Sequence, residues 1–412
     1  MNRKSKFYSS NALRLSKRVG GGLLTLMLPL AASAQSASTP ATVDKALVDQ
    51  LLKRLDKQEE EIRQLKSKLE SGSSSVSETS SPKDTFPKLQ FHGFGDVTYK
   101  ANNQPTDKNS FVLGQLDFFV TSQLSDKVSV LSESVIEAGG ANDFGIEIER
   151  LLLQYDASDY FKMDIGRYHT AVGYYNTAYH HGAWFQTATG RPAIFDFEDG
   201  GGIIPTHNVG ISMHGDIPSG KLGLQYIAEV GNGRAYQPPG VDQNLVLNVQ
   251  DDNDYKAFNL ALIARPEGIP GLQVGAGAYH DTITSVPGPR IDELMLSTHA
   301  VYKTAAWEFL SESHFIRHEE RAGATHWSSA AFGQVGRKFG DLTPYARISY
   351  FNSPDTDPVY TYIGKNGVAY GPAVGLRYDF TSLAAFKIQY DHQEYTTAKS
   401  LDQITLQVAF TF

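Results

Sequence analysis

The last nine residues of the chain, "ITLQVAFTF" (Ile404–Phe412), decide the fold class. One side of this stretch carries Ile404, Leu406, Val408, Phe410 and Phe412, and the other carries Thr405, Gln407, Ala409 and Thr411. A repeat of two residues predicts a β-strand with one apolar and one polar face. In a sandwich the apolar face meets a core, whereas in a membrane barrel it meets lipid and the polar face lines the lumen.

The number of such strands favours the barrel. Sixteen candidates follow one another from residue 89 onward, with centres near 95, 118, 133, 151, 164, 210, 226, 260, 277, 297, 312, 332, 346, 374, 388 and 406. Each is about 10–14 residues long, which exceeds the usual strand of a soluble protein and suits a tilted crossing of a bilayer. Seven short turns, such as "LSDK" and "KFGD", alternate with eight longer connections. Strict alternation of this kind predicts an all-β, sixteen-stranded antiparallel transmembrane barrel over residues 88–412.

The start of the chain has the pattern of a secretory signal peptide. Residues 1–34 combine six basic residues and no acidic residue with the apolar run "GGGLLTLMLPLAA" and the small-residue site Ala32-Ser33-Ala34. An N-terminal membrane anchor is the alternative. Cleavage would change the formal net charge from −8 to −14, a balance that argues against a nucleic-acid partner.

Residues 35–70 are predicted to contain a periplasmic coiled-coil helix. Val48, Leu55, Ile62 and Leu69 recur every seven residues, with Leu51, Gln58 and Leu65 between them. An amphipathic helix packed on its own domain is the alternative. The Ser-rich stretch 71–87, with two prolines, predicts a flexible linker between this helix and the barrel.

The barrel pattern resembles the sixteen-stranded, trimeric outer-membrane porins of bacteria. In that family the insertion machinery recognises a last strand that ends in Phe, as this chain does at Phe412. The stretch "IERLLLQYDASDYFKMDIGRYHTAVGYYN" is similar to the strand pair that precedes the third outer loop in phosphate-selective porins. Some sugar-selective porins also carry a periplasmic coiled coil. The resemblance implies a homotrimer whose third outer loop, here about residues 169–203, folds into the pore and narrows it.

Strand parity assigns charged side chains to the lumen. The pore-wall candidates are Asp96, Asp117, Glu133, Arg150, Glu229, Arg347, Arg377, Asp379, Lys387 and Asp391. They are either solvated charges on a wet wall or part of a transverse field, with a basic wall facing an acidic loop. Residues 86–412 carry 23 basic and 36 acidic residues, a net charge of −13, which favours a general or weakly cation-preferring pore over a phosphate channel.

The third loop contains the remaining candidate residues. Arg167, His169, His180, His181, Arg191, Asp196, Glu198, Asp199 and His207 are predicted to line the constriction, and Tyr174, Tyr175, Tyr179, Trp184 and Phe185 to hold the loop. No metal site, cofactor or catalytic residue is predicted. Adjacent histidines such as His180 and His181 point to opposite faces of an extended segment, the chain has no Cys, and neither HExxH nor GxSxG occurs.

These observations predict a protein that is not an enzyme. We expect an outer-membrane porin for passive diffusion of small hydrophilic solutes and ions, surrounded by lipid and associated with copies of itself. A substrate-selective porin for sugars, or for phosphate and other anions, is the alternative. A tether between the outer membrane and the cell wall through the coiled coil would be a secondary role.

Overall fold

A computed structural model describes residues 87–138, 143–179, 182–192, 195–196, 202–234, 250–251, 253–284, 290–321 and 323–412. The predicted signal peptide and coiled coil, and all of the predicted linker except Pro87, lie outside these residues. No helix in the described part of the chain is long and apolar enough to cross a membrane.

Sixteen antiparallel strands form one closed barrel in which every strand pairs with its neighbours in sequence. The first eight are β1 (Lys88–Asn102), β2 (Ser110–Gln123), β3 (Val128–Ala138), β4 (Phe144–Ser158), β5 (Phe161–His169), β6 (His207–Ile217), β7 (Leu224–Gly231) and β8 (Ala257–Ala264). The others are β9 (Leu272–Ile283), β10 (Ile291–Lys303), β11 (Trp307–Glu320), β12 (Thr325–Arg337), β13 (Leu342–Ser353), β14 (Gly367–Thr381), β15 (Ala384–Tyr395) and β16 (Leu401–Thr411). Two short helices, α1 (Tyr175–Ala178) and α2 (Pro358–Tyr362), lie in long connections. The prediction of an all-β, sixteen-stranded antiparallel barrel is therefore confirmed.

The barrel closes where β16 pairs with β1, with Gly95 opposite Phe410. The aromatic rings of β16 cover glycines of β1. A Cβ atom added at Gly93 would lie 2.3 Å from the ring of Phe412, and one at Gly95 would lie 2.8 Å from that of Phe410. Glycine at these positions leaves the space that the rings occupy, so the C-terminal aromatic residues complete the seam.

Outward and inward side chains alternate as the period of two requires. In β13, Ile348 and Tyr350 are 61% and 41% exposed, whereas Arg347 and Ser349 between them are each 6% exposed. The exposed aliphatic and aromatic side chains form the outer surface, which is the face that a bilayer would contact. A closed barrel can face lipid because all of its backbone hydrogen bonds are made between its own strands.

The inward face is not polar throughout, contrary to the simple parity argument. Strands β9 to β12 place Tyr279, Met295, Leu310, Ile316 and Phe332 inside the barrel, each no more than 4% exposed. They belong to one apolar cluster with side chains of the connection between β5 and β6. Burying one such side chain contributes about 1.5–3 kcal/mol, so this cluster stabilises the inward position of the connection. One side of the lumen is therefore a packed core.

A β-bulge interrupts the pairing of β3 with β4. Glu133 lies opposite Arg150 and the next pair joins Ser134 to Ile148, so Glu149 is an extra residue. Ile148 and Leu151 are each 52% exposed on the outer face, whereas Glu149 between them is 4% exposed. Because of the extra residue, the side chains of both Glu149 and Arg150 point to the interior. Bulges commonly redirect a side chain in this way.

Candidate pore constriction

The connection between β5 and β6, residues 170–206, is called the inserted loop below, and its described residues lie inside the barrel. Its two ends are fastened together at the wall. Thr170 donates its backbone N–H to the carbonyl oxygen of Thr206 at 2.9 Å. Asn176 is fully buried, and its side-chain amide donates to the carbonyl oxygens of Thr170 at 2.8 Å and Thr206 at 3.2 Å. This closure at the root directs the segment into the lumen.

Aromatic packing holds one side of the inserted loop. The ring of Tyr175 stacks on that of Phe195, 5.3 Å between centroids, and Phe195 meets Phe332 of β12 edge-on at 5.5 Å. Glu312 of β11 accepts the backbone N–H of Tyr175 at 3.0 Å. Burial raises the pKa of the Tyr175 hydroxyl to about 12, so this group stays neutral and donates to Gln186 at 2.7 Å. Aromatic pairs of this geometry add about 0.5–1.5 kcal/mol each beyond area burial.

Basic side chains of the opposite wall hold the other side of the loop. Arg377 of β14 donates to the carbonyl oxygens of Trp184 at 2.6 Å and Gln186 at 2.9 Å. Lys387 of β15, which is fully buried, donates to the carbonyl oxygens of Ala183 and of Ala188, the latter at 3.3 Å. Hydrogen bonds from charged donors are stronger than neutral ones, so these contacts fix the backbone of residues 183–188.

Further wall residues contribute single contacts. Arg347 donates to the carbonyl oxygen of Gly190 at 3.2 Å, and Glu229 accepts the backbone N–H of Ala171 with both carboxylate oxygens, at 3.2 and 3.1 Å. Asp379 pairs with the guanidinium of Arg377 at 2.7 Å and thereby orients it. With Lys387 included, five predicted pore-wall residues therefore hold loop contacts or orient a residue that does.

A cavity of about 600 Å³ remains between the inserted loop and the wall of β1, β2, β13, β15 and β16. Its charged lining comprises Asp96, Lys100, Arg191, Asp196, Arg347 and Asp391. Six glutamines and four Ser or Thr residues add uncharged polar groups, and Tyr395 is the one aromatic residue in the lining that the structure describes. The cavity is thus polar, with balanced charges.

Charge is not divided between a basic wall and an acidic loop in the lining that the structure describes. The loop contributes Arg191 and Asp196, and the wall contributes residues of both signs. Asp196 pairs with Lys365 at 3.2 Å, and enclosure in the barrel raises the pKa of its carboxyl group although its side chain is still 37% exposed. Glu198 and Asp199, which carried the acidic character of the predicted loop, lie outside the described residues, as do His180 and His181.

The other predicted constriction residues lie at the root of the loop. His207 Nε2 is 2.5 Å from a carboxylate oxygen of Glu149, and His169 Nε2 is 3.7 Å from one of Glu133. Arg167 donates to the backbone carbonyl of Glu149 and to the Glu147 carboxylate, both at 3.0 Å. None of these residues belongs to the described lining of the 600 Å³ cavity. Asp117, Glu133 and Arg150, predicted for the pore wall, lie in the same root region.

The predicted loop-holding aromatics differ in burial. Tyr175 and Tyr179 are 2% and 5% exposed. Tyr174 packs beside the imidazole of His299, and Trp184 lies next to Phe185 and the Arg377 guanidinium. Phe185 remains 48% exposed but meets the ring of Phe94 at 4.8 Å.

Sequence reasoning missed several buried polar residues. Glu312 contacts the loop backbone directly, and Asn176 closes its root. Gln389, which strand parity places on the inner face, also accepts a backbone N–H of the loop. His318 bridges Glu293 and Asp357, with 2.8 Å to a carboxylate oxygen of each, and so ties α2 to the wall. Inward parity was the available signal for Glu312, Glu293 and His318. No pattern in the sequence marked Asn176, Asp357 or the bulged Glu149, whose positions depend on loop closure and register.

Comparison with known proteins shows similarity in structure alone. No family model matches the chain, and no curated protein matches it. The anion-selective porin from Comamonas acidovorans has a TM-score of 0.58 at 11% identity, covering 79% of this chain and all of the porin. The outer-membrane channel DcaP of Acinetobacter baumannii has a TM-score of 0.53 at 10% identity, covering 79% and 97%. OmpT of Vibrio cholerae, an outer-membrane protein in trimer form, has a TM-score of 0.53 at 11% identity, covering 79% and 99%. This chain therefore has the sixteen-stranded barrel fold of the outer-membrane porins.

Proposed function

We propose that this protein is an outer-membrane porin that lets small hydrophilic solutes and ions diffuse passively. The observation that carries the proposal is the polar cavity left between the inserted loop and one wall of a closed barrel with an apolar outer surface. A barrel of sixteen strands is wide enough for an aqueous channel, and the inserted loop reduces the opening to one side of the lumen.

The composition of the cavity supports low selectivity. Ten uncharged polar side chains outnumber six charged ones, and the charged set contains three of each sign. Amide and hydroxyl groups can exchange hydrogen bonds with neutral solutes and hydrated ions alike. The excess of acidic over basic residues in 86–412 would add a weak preference for cations.

Two features weigh against the selective alternatives. An anion channel lines its narrow part with an excess of Arg and Lys side chains, but the cavity lining has as many acidic as basic residues, and Arg377 and Lys387 donate to loop carbonyl oxygens. A sugar channel would present aromatic faces to the solute, but Tyr175 and Tyr179 are buried in the loop packing. We therefore favour passive diffusion over substrate-specific uptake and over catalysis.

Cellular context forms part of the proposal. Residues 1–34 would direct secretion, Phe412 would be recognised by the insertion machinery, and the mature protein would reside in the outer membrane as a homotrimer. Residues 35–70 would form the periplasmic coiled coil that joins the three chains. Each barrel would then be a separate pore.

Planar-bilayer recording of the purified protein tests the function. We expect ohmic conductance in steps of three and a reversal potential in a salt gradient that indicates weak cation preference. Absence of conductance from protein shown to be folded would refute the channel. A strongly anion-selective reversal potential, or saturable block by phosphate or maltose-like sugars, would replace general diffusion with the selective alternative.

A further inference from the structure

Five titratable side chains form a buried cluster at the root of the inserted loop. This root cluster comprises Asp117 of β2, Glu133 of β3, Glu149 of β4, His169 at the end of β5 and His207 at the start of β6. Their exposed fractions are 1%, 0%, 4%, 8% and 2%. Burial of this kind is unusual for carboxylates and requires compensation by hydrogen bonds, opposite charges or a metal ion.

Three members of the root cluster have the geometry of a metal site. One ligand atom each from Glu149, His169 and His207 lies within 4.8 Å of the other two. The imidazole rings of the two histidines are 5.3 Å apart at an interplanar angle of 66°. Tetrahedral zinc with bonds of about 2.0–2.1 Å places its ligand atoms roughly 3.3 Å apart. The 2.5 Å between His207 Nε2 and the Glu149 carboxylate would open by less than 1 Å. The other ligand-atom separations, none above 4.8 Å, would close by at most about 1.5 Å.

The charge of the root cluster is a second, independent observation. It contains three carboxylates, and Arg150 is paired with Glu133. Asp117 is close enough to Glu133, Glu149 and Arg150 to interact with them electrostatically. Neither carboxylate oxygen of Asp117, nor Oε1 of Glu133, has a hydrogen-bond partner among the described residues. Buried carboxylate oxygens without a partner are costly, so these oxygens of Asp117 and Glu133 favour a cation bound beside them.

We propose that the root cluster binds one divalent transition-metal ion, with Zn²⁺ as the preferred ion, through Glu149, His169 and His207. Two imidazoles and a carboxylate suit zinc and its neighbours in the first transition row, whereas Ca²⁺ and Mg²⁺ require oxygen ligands. Glu133, 3.7 Å from His169 Nε2, or a water molecule completes the coordination. Asp117 supplies negative charge behind the ligands.

The bound ion cross-links the strands from which the inserted loop leaves and to which it returns. His169 immediately precedes the loop, His207 immediately follows it, and Glu149 belongs to the strand paired with β5. The β-bulge at Glu149 is what turns this third ligand inward. The ion thus stabilises the root of the loop without entering the polar cavity.

Metal binding to the full-length protein in non-denaturing detergent tests this proposal without reference to conductance. After removal of metal by a chelator, titration with ZnCl₂ should load one ion per chain by elemental analysis. Titration with CoCl₂ should give visible d–d absorption without a thiolate charge-transfer band, since the chain contains no Cys. If the wild-type protein gives no cobalt spectrum and retains no zinc after desalting, the proposal is wrong.

Variants identify the ligands. His207→Ala and Glu149→Gln should each weaken zinc binding at least roughly 100-fold, because each removes one of three protein ligands. His214→Ala is the matched control, since this histidine is also on β6 but is half-exposed and lies outside the root cluster. The zinc affinity of this variant should equal that of the wild type. Resistance of the unheated barrel to SDS verifies folding of each variant. Unchanged zinc affinity in folded His207→Ala would overturn the assignment and leave an imidazole–carboxylate hydrogen-bond network as the role of these residues.

Discussion

Replacement of Lys387 by Met should loosen the inserted loop while leaving the barrel intact. Lys387 donates two hydrogen bonds to loop carbonyl oxygens, and its side chain is fully buried. Methionine has a similar length and no charge. The substitution therefore removes both loop contacts and also the cost of burying an ammonium group, so the barrel itself should not lose stability.

The expected magnitude follows from those two bonds. A hydrogen bond contributes about 0.5–1.5 kcal/mol, so the attached state of residues 183–188 loses about 1–3 kcal/mol relative to a detached state. Every 1.4 kcal/mol is a factor of ten, which makes the detached state roughly five- to a hundredfold more populated. Adding Arg377→Met removes two further bonds and should increase this population again, by less than the additive factor because both residues hold the same short segment.

Single-channel recording measures this population as the fraction of time spent in a larger, noisier conductance level. Lys162→Met is the matched control, because Lys162 is a half-buried lysine whose one described ion pair is a 3.7 Å contact with Asp156 on β4. We expect Lys162→Met to behave like the wild type and Lys387→Met to visit the larger conductance level more often. The wild type and both variants should resist SDS equally, which shows that the barrels are folded. Unchanged gating in folded Lys387→Met would show that its carbonyl contacts do not hold the loop.

Three further predictions concern charge, assembly and backbone strain. Because enclosure raises the pKa of Asp196, its carboxylate should be protonated at a higher pH than that of an exposed Asp. The cation preference of the pore, measured as reversal potential, should therefore fall as pH falls through that range. Asp196→Asn should flatten this pH dependence. Phe412→Ala should reduce the yield of folded barrel in outer-membrane fractions, since its ring covers Gly93, whereas Phe386→Ala, an outward residue of β15, should not. Gly173→Ala should destabilise the attached loop by about 1 kcal/mol or more, visible as increased protease cleavage within it, because its φ is +81° and a Cβ would lie 1.6 Å from a carboxylate oxygen of Glu312. Equal cleavage of wild type and folded Gly173→Ala would contradict this reasoning.

Strand periodicity and connection lengths were sufficient to predict the barrel. A repeat of two residues depends on local backbone geometry, which the sequence sets directly. A one-residue shift in register would exchange the two faces of a strand, so the sequence specifies the register strongly. The alternation of short and long connections then set the topology, and all sixteen strands occur where the pattern placed them. Parity likewise placed Lys387 and Arg377 on the inner face, where they contact the loop.

The contacts inside the lumen depended on tertiary structure. An inward basic residue either lines the cavity, as Lys100 does, or donates to loop carbonyl oxygens away from it, as Lys387 does. Which of the two occurs depends on where a long connection lies within the barrel. Glu149 joined the root cluster only because a bulge shifted the register of β4, which no local pattern signals. His169 and His207 are 38 residues apart in sequence and meet because β5 and β6 pair directly. Local periodicity therefore determined the barrel, whereas the cavity and the root cluster arose from long-range packing that periodicity does not encode.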